Sequence, residues 1–93
     1  MLDGAAGFIV KGQVQGVGFR WWARRRADAL GLEGWIRNAA DGSVEVAVRG
    51  APALVDQFRA ELWSGPPGAR VSAVVEAEGL VAPGIRPGFE VRF

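Results

Sequence analysis

Apolar and polar residues alternate with period two over several short stretches of this chain and recur at helical spacing over two longer ones. Residues 8–14, FIVKGQV, read as a strand with apolar Phe8, Val10 and Val14. Gly16 and Gly18 break that pattern, and a helix is predicted from Phe19. Phe19, Trp22, Ala23, Ala27 and Leu30 form one apolar stripe, Arg24, Arg25 and Asp28 lie away from it, and Gly31 stops the helix. Residues 32–37 read as a second strand. The segment NAADG at 38–42 is a turn, since Asp-Gly between apolar runs signals a hairpin. Residues 43–49 follow as a third strand with Val44, Val46 and Val48 on one face. Pro52 suits the first turn of a second helix, whose inner face carries Val55, Phe58 and Leu62. Gly65, Pro66 and Pro67 end it. Residues 71–78 predict a fourth strand and 79–88 a Gly- and Pro-rich loop. Phe89, Val91 and Phe93 alternate with Glu90 and Arg92 in a last short strand.

This order is the split βαβ pattern of an α+β, ferredoxin-like βαββαβ sandwich: one antiparallel sheet with two helices on one face, plus a short terminal strand. The 93 residues fit one domain, 1–93, with residues 1–6 expected to form a flexible tail. So many functions share this fold that the function has to come from a site.

Composition narrows the chemistry. Cysteine and histidine are both absent, so there is no thiol nucleophile, no thiolate metal site and no imidazole base. No cofactor and no metal are expected. Eleven basic residues against ten acidic leave a net charge of +1, which calls for neither a nucleic acid nor a membrane surface as partner. No apolar run approaches the roughly 20 residues of a membrane span, and the first residues do not read as a signal peptide. A cytoplasmic monomer is the expectation.

The chemically informative segment is GQVQGVGFR at 12–20, where a strand gives way to a Gly-rich turn and a helix. Backbone N–H groups of such a turn, together with the unpaired amides of the first helical turn, make an anion cradle. Arg20 stands at the helix start, where its guanidinium can fork onto two phosphate oxygens. No Gly-Lys-Ser/Thr follows, so this is not a Walker loop, and the third glycine of the dinucleotide fingerprint is missing. Taken alone, the glycines are better explained by a tight turn with a solvated arginine. Asn38 ends the second strand. In this fold the first and second strands flank the third, so that end can lie near the first loop. Its carboxamide can accept from a water while donating to an oxyanion. Alone, it too is an ordinary turn residue.

The two segments together carry more. VQGVGFR, then GWIRNAADGSVEV after an intervening helix ending LGLEG, is similar to the signature of the acylphosphatase family. The likeness is close over residues 8–50 and looser through Phe58, Leu62, Gly65-Pro66, Val71 and Phe89. It implies the ferredoxin-like fold and a phosphate loop on Gln15, Gly16, Val17, Gly18, Phe19 and Arg20. It implies Arg20 as catalytic arginine and Asn38 as the residue that orients the attacking water. The substrate so implied is a small-molecule acyl phosphate, with inorganic phosphate as a product inhibitor. Ala39 departs from the pattern, because many members carry a hydroxyl residue there. Trp22 reads as core and Trp21 as partly exposed cover beside the loop.

The chemistry suits so sparse a site. A carboxylate is a stable leaving group that needs no general acid, and phosphoryl transfer is served mainly by positioning and charge stabilisation. Glu33, Asp41 and Glu45 are read as solvated or turn-forming. Two rivals share the fold. An RNA-binding module would need sheet aromatics for base stacking, and the strands show no aromatic pair. A regulatory domain that kept the cradle occurs at the start of larger carbamoyl-handling enzymes. Here no zinc-finger cysteines follow, so a free-standing enzyme is expected.

Overall fold

A computed structural model describes residues 4–81 and 84–93. The elements are β1 (Gly4–Gln13), α1 (Phe19–Ala29), β2 (Glu33–Asn38), β3 (Val44–Gly50), α2 (Pro52–Ser64), β4 (Arg70–Glu76), a 3₁₀ turn (Glu78–Leu80) and β5 (Phe89–Arg92). The strands lie in the order β4-β1-β3-β2-β5. Residues 1–3 of the expected tail fall outside the described residues. Residues 4–6 belong to β1, where Gly4, Ala5 and Ala6 pair with Gly50, Arg49 and Val48.

The core lies between the sheet and the two helices. Phe8 and Val10 of β1, Ile36 of β2, and Val44, Val46 and Val48 of β3 are buried on one face, as the alternation of side chains along a strand requires. Phe19, Ala23 and Ala27 of α1 and Val55, Phe58 and Leu62 of α2 meet them. The small Ala23 and Ala27 let α1 approach the sheet closely. Trp22 is only partly buried, edge-on to Phe19 at 5.4 Å.

The four strands of the βαββαβ unit are antiparallel, but β5 runs parallel to β2, with Gly34 opposite Phe89 and Ile36 opposite Val91. The sheet is therefore mixed rather than wholly antiparallel. The direction follows from the crossing that precedes it. β4 ends beside the start of β1, where Ala77 donates to the Gly7 carbonyl (2.8 Å). The chain then reaches the far edge at the start of β2, where Gly34 donates to Gly88 (2.9 Å). Strand β5 can only run the way β2 runs. Gly7 makes the crossing possible, since a Cβ there would overlap the Ala77 carbonyl oxygen and press on Leu80.

The last strand stops at Arg92. Phe93, expected to continue the inward alternation of Phe89 and Val91, is instead 91 % exposed. The open face of the sheet carries Trp35. That residue is buried beneath the guanidinium groups of Arg37 (4.9 Å from the ring centre) and Arg92 (4.7 Å), which pair with Glu45 and Glu90.

The helices are tied to each other by Arg26 and Glu61, which form a direct ion pair. The hydrogen bond from Arg26, with a further one from Gln57, holds the Glu61 carboxyl below its usual pKa despite some desolvation. Because the folded form binds this proton less tightly than the unfolded chain, the stabilisation is complete above the unfolded-state value, and it is lost as pH falls through the lower folded value. Glu61→Gln is expected to flatten the decline of stability below about pH 4, measured as denaturation midpoints from pH 7 to pH 2.5. An unchanged slope would show that the pair contributes nothing to acid sensitivity.

Candidate active site

The strand order β1-β3-β2 decides where the site forms. The segment leaving β1 and the end of β2 emerge at the same end of the sheet, separated only by the width of β3. Between them lies a cleft of about 170 Å³, lined by Val14, Gly16, Gly18 and Phe19 with Arg20, Trp21 and Asn38. The two segments singled out in the sequence thus meet. Asn38 is brought in by register: it follows Gly34 and Ile36 on the helix-side face and pairs with Val44.

The loop presents backbone donors. Gly16 and Gly18 have φ of 76° and 75°, a left-handed conformation that favours glycine. Nothing lies within 4 Å of where their Cβ atoms would be, so the constraint is conformational rather than packing. Gly18 is the N-cap of α1 and supplies no side-chain cap, and the first turn holds no acidic residue. Among the described residues, the amides of residues 15–18 donate to no other group. The first amides of α1 are unpaired within the helix as well. The positive end of the α1 dipole therefore opens on a cleft in which, among the described residues, Arg20 is the one charged side chain.

Arg20 is held from behind. Its Nη1 donates to the carbonyl oxygen of Arg92 (2.8 Å), and its guanidinium lies over the Phe93 ring, 4.6 Å from the centre. Neither partner was apparent from the sequence, where Phe93 looked like one more inward-facing residue. Only the parallel placement of β5 beside β2 brings residues 92–93 to this end of the sheet.

Gln15 and Val17 do not line the cleft. The Gln15 side chain crosses to the β2–β3 turn instead, where Nε2 donates to the carbonyls of Ala39 (2.8 Å) and Ser43 (2.9 Å). Two carbonyl partners leave the amide one sensible orientation. The turn is braced internally too. Ala39 donates to Ser43 (2.8 Å), and Gly42 takes φ 94°. The Ser43 hydroxyl and amide both donate to Asp41 Oδ1 (2.6 and 3.0 Å), which holds the exposed Asp41 carboxyl below its ordinary pKa. Gln15 thereby links the glycine loop to the turn that follows Asn38, across 24 residues of sequence. No local pattern announces such a link. Glu33 and Glu45, like Asp41, are engaged elsewhere, in pairs with Arg49 and Arg37.

The profile of the acylphosphatase family matches residues 6–91. The chain belongs to that family. It is 53 % identical over 79 residues to an acylphosphatase of Xanthomonas euvesicatoria, covering 85 % of this chain and 90 % of that one. The solved acylphosphatase from Coxiella burnetii superposes with a TM-score of 0.88 at 36 % identity, covering 98 % and 94 % of the two chains. That from Bacillus subtilis gives 0.81 at 32 % identity, covering 96 % and 98 %. As a member of this family the protein is an enzyme, a hydrolase of the acylphosphatase type, on the ferredoxin-like fold of the solved relatives.

Removing the Gln15 clamp is expected to loosen the acylphosphatase cleft without unfolding it. Gln15→Ala loses two hydrogen bonds, each worth about 1 kcal/mol. Its expected outcome is a stability loss of about 1–2 kcal/mol with a small loss of turnover. Paired denaturation and rate measurements check both, and unaltered values would make the clamp dispensable.

Proposed function

We propose that this acylphosphatase binds the phosphoryl group of a small acyl phosphate on the amides of residues 15–20 and on Arg20. Asn38 positions the water that attacks phosphorus directly. The observation that carries the reading is the meeting of Arg20, the uncapped start of α1 and Asn38 in one cleft that no carboxylate lines among the described residues. An anion enters such a cleft without repulsion, and the donors stand ready for the charge that spreads over the equatorial oxygens in the transition state.

In the reaction the water oxygen bonds to phosphorus as the bond from phosphorus to the acyl oxygen breaks. The bonding electrons leave with the carboxylate: RCO–O–PO₃²⁻ + H₂O → RCOO⁻ + H₂PO₄⁻. The water's proton passes to a non-bridging phosphate oxygen. No protein base is assigned, since neither an arginine nor a carboxamide can take a proton here and Glu33, Asp41 and Glu45 are held elsewhere by Arg49, Ser43 and Arg37. No metal enters this scheme. His and Cys are absent from the chain, and among the described residues no group of three carboxylates clusters. Product phosphate fits the same donors and competes with substrate. No helix among the described residues is long and apolar enough to cross a membrane, and a cytoplasmic monomer is the proposed working form.

The test is hydrolysis of benzoyl phosphate with and without EDTA, alongside two substitutions. Activity should survive chelation, and loss restored by a divalent ion would overturn the metal-free scheme. Arg20→Ala should weaken phosphate binding and nearly abolish turnover, with little rescue by Arg20→Lys, whose ammonium cannot fork. Asn38→Ala should keep phosphate affinity while turnover falls roughly 10²-fold or more. A lowered melting point with near-normal turnover would reduce Asn38 to a hairpin residue.

A further inference from the structure

The cleft that takes the phosphate is small. Pockets that enclose a whole drug-sized ligand begin at about 300 Å³, whereas this one measures about 170 Å³. With a phosphoryl group seated on the loop, the acyl group must lie outside, across the rim. What the rim offers there is unusual for this molecule. Only four large hydrophobic side chains are exposed among the described residues, namely Trp21, Trp63, Val75 and Phe93. Two of them, Trp21 and Phe93, come together beside Arg20. Their ring centres are 6.1 Å apart at an angle of 48°, and the Phe93 ring also lies against the Arg20 guanidinium.

Neither aromatic is buried in the core. Trp21, in the first turn of α1, is 45 % exposed and Phe93, just after β5, is 91 % exposed. Two rings held open to water keep apolar area that burial would stabilise. Trp21 also lines the cleft itself, so its surface is continuous with the phosphate site. A flat group emerging from the cleft can lie on Trp21 and against the edge of Phe93, the tilted arrangement that aromatic rings favour. A methyl group in the same place would cover little of either.

We propose that Trp21 and Phe93 form the acyl subsite and select acyl phosphates whose acyl group is aromatic or extended and apolar. This rests on the reading of the cleft as the phosphoryl site. Trp21 and Phe93 set specificity by contact with the acyl group. The residues of the loop, with Arg20 and Asn38, serve every acyl phosphate alike.

The readout is a ratio, because Phe93 also touches Arg20 and its loss can lower all rates together. The ratio of kcat/KM for benzoyl phosphate to that for acetyl phosphate should fall about three- to tenfold in Trp21→Ala, the scale of one lost aromatic contact. It should fall likewise in Phe93→Ala and recover largely in Trp21→Phe. Trp63→Ala, exposed on α2 and outside the cleft lining, should leave it unchanged. A second arm uses calorimetric affinities for benzylphosphonate and methylphosphonate, which the enzyme does not hydrolyse, and the same ratio should fall in the same variants. An unchanged ratio in both Trp21→Ala and Phe93→Ala, or an equal shift in Trp63→Ala, overturns the proposal, as does failure of benzylphosphonate to bind. Because the phosphonate ratio does not depend on turnover, a chain that hydrolysed nothing would refute the proposed reaction while that ratio still decided the rim.

Discussion

Strand β3 is the seam on which the rest of the molecule depends. Val44, Val46 and Val48 are fully buried, and each faces a partner from β1 and from β2. Because side chains alternate, a slip of one residue on either side would turn three valines to water and bring Glu45, Ala47 and Arg49 toward the helices. The cost of such a slip fixes both registers at once. With the registers fixed, the end of β2 and the loop after β1 stand a strand's width apart. Asn38 faces the helix layer rather than the open face. The site's geometry is in this sense inherited from the core, and no residue of the cleft has to hold the cleft together by itself.

What the core does not specify, the polar contacts add. Gln15 reaches over the seam to the carbonyls of the β2–β3 turn, and Asp41 stiffens that turn from within. Arg20 is fixed by a backbone carbonyl and a ring, neither of which neutralises its charge. An acidic partner would orient an arginine equally well and would weaken its grip on an anion. The bare start of α1 follows the same logic. A Ser or Asp at the N-cap would satisfy the helix and occupy its first amides. Glycine leaves them free.

Much of this was legible in the sequence because it rests on short-range pattern. The stripe through Phe19, Ala23 and Ala27, the valines of β3, Pro52 and the Asp-Gly turn each report their element locally, and the strands and helices lie within a residue or two of expectation except at the start of β1. Gly4 to Ala6 did not read as strand, since two alanines and a glycine show no alternation and owe their conformation to β3. The direction of β5 was hidden for a related reason. Four residues carry no sign of parallel or antiparallel pairing, and the answer came from where β4 ends. The glycine loop and Asn38 were readable as two segments. The Gln15 clamp and the seat of Arg20 on residues 92–93 were not, because both join positions far apart in sequence through contacts that only the sheet order creates.

The seat of Arg20 also separates two kinds of robustness. Its carbonyl partner belongs to β5, the shortest strand, at the sheet's edge and paired on one side only. Edge strands open at lower free energy than the centre, while β1, β3 and the helices keep their mutual burial. An opening of β5 that leaves the fold intact therefore withdraws the arginine's support and the Phe93 ring together. Endurance of the fold and endurance of the arginine's setting are decided in different places, the first by the valines of the middle strand and the second by four residues on the margin.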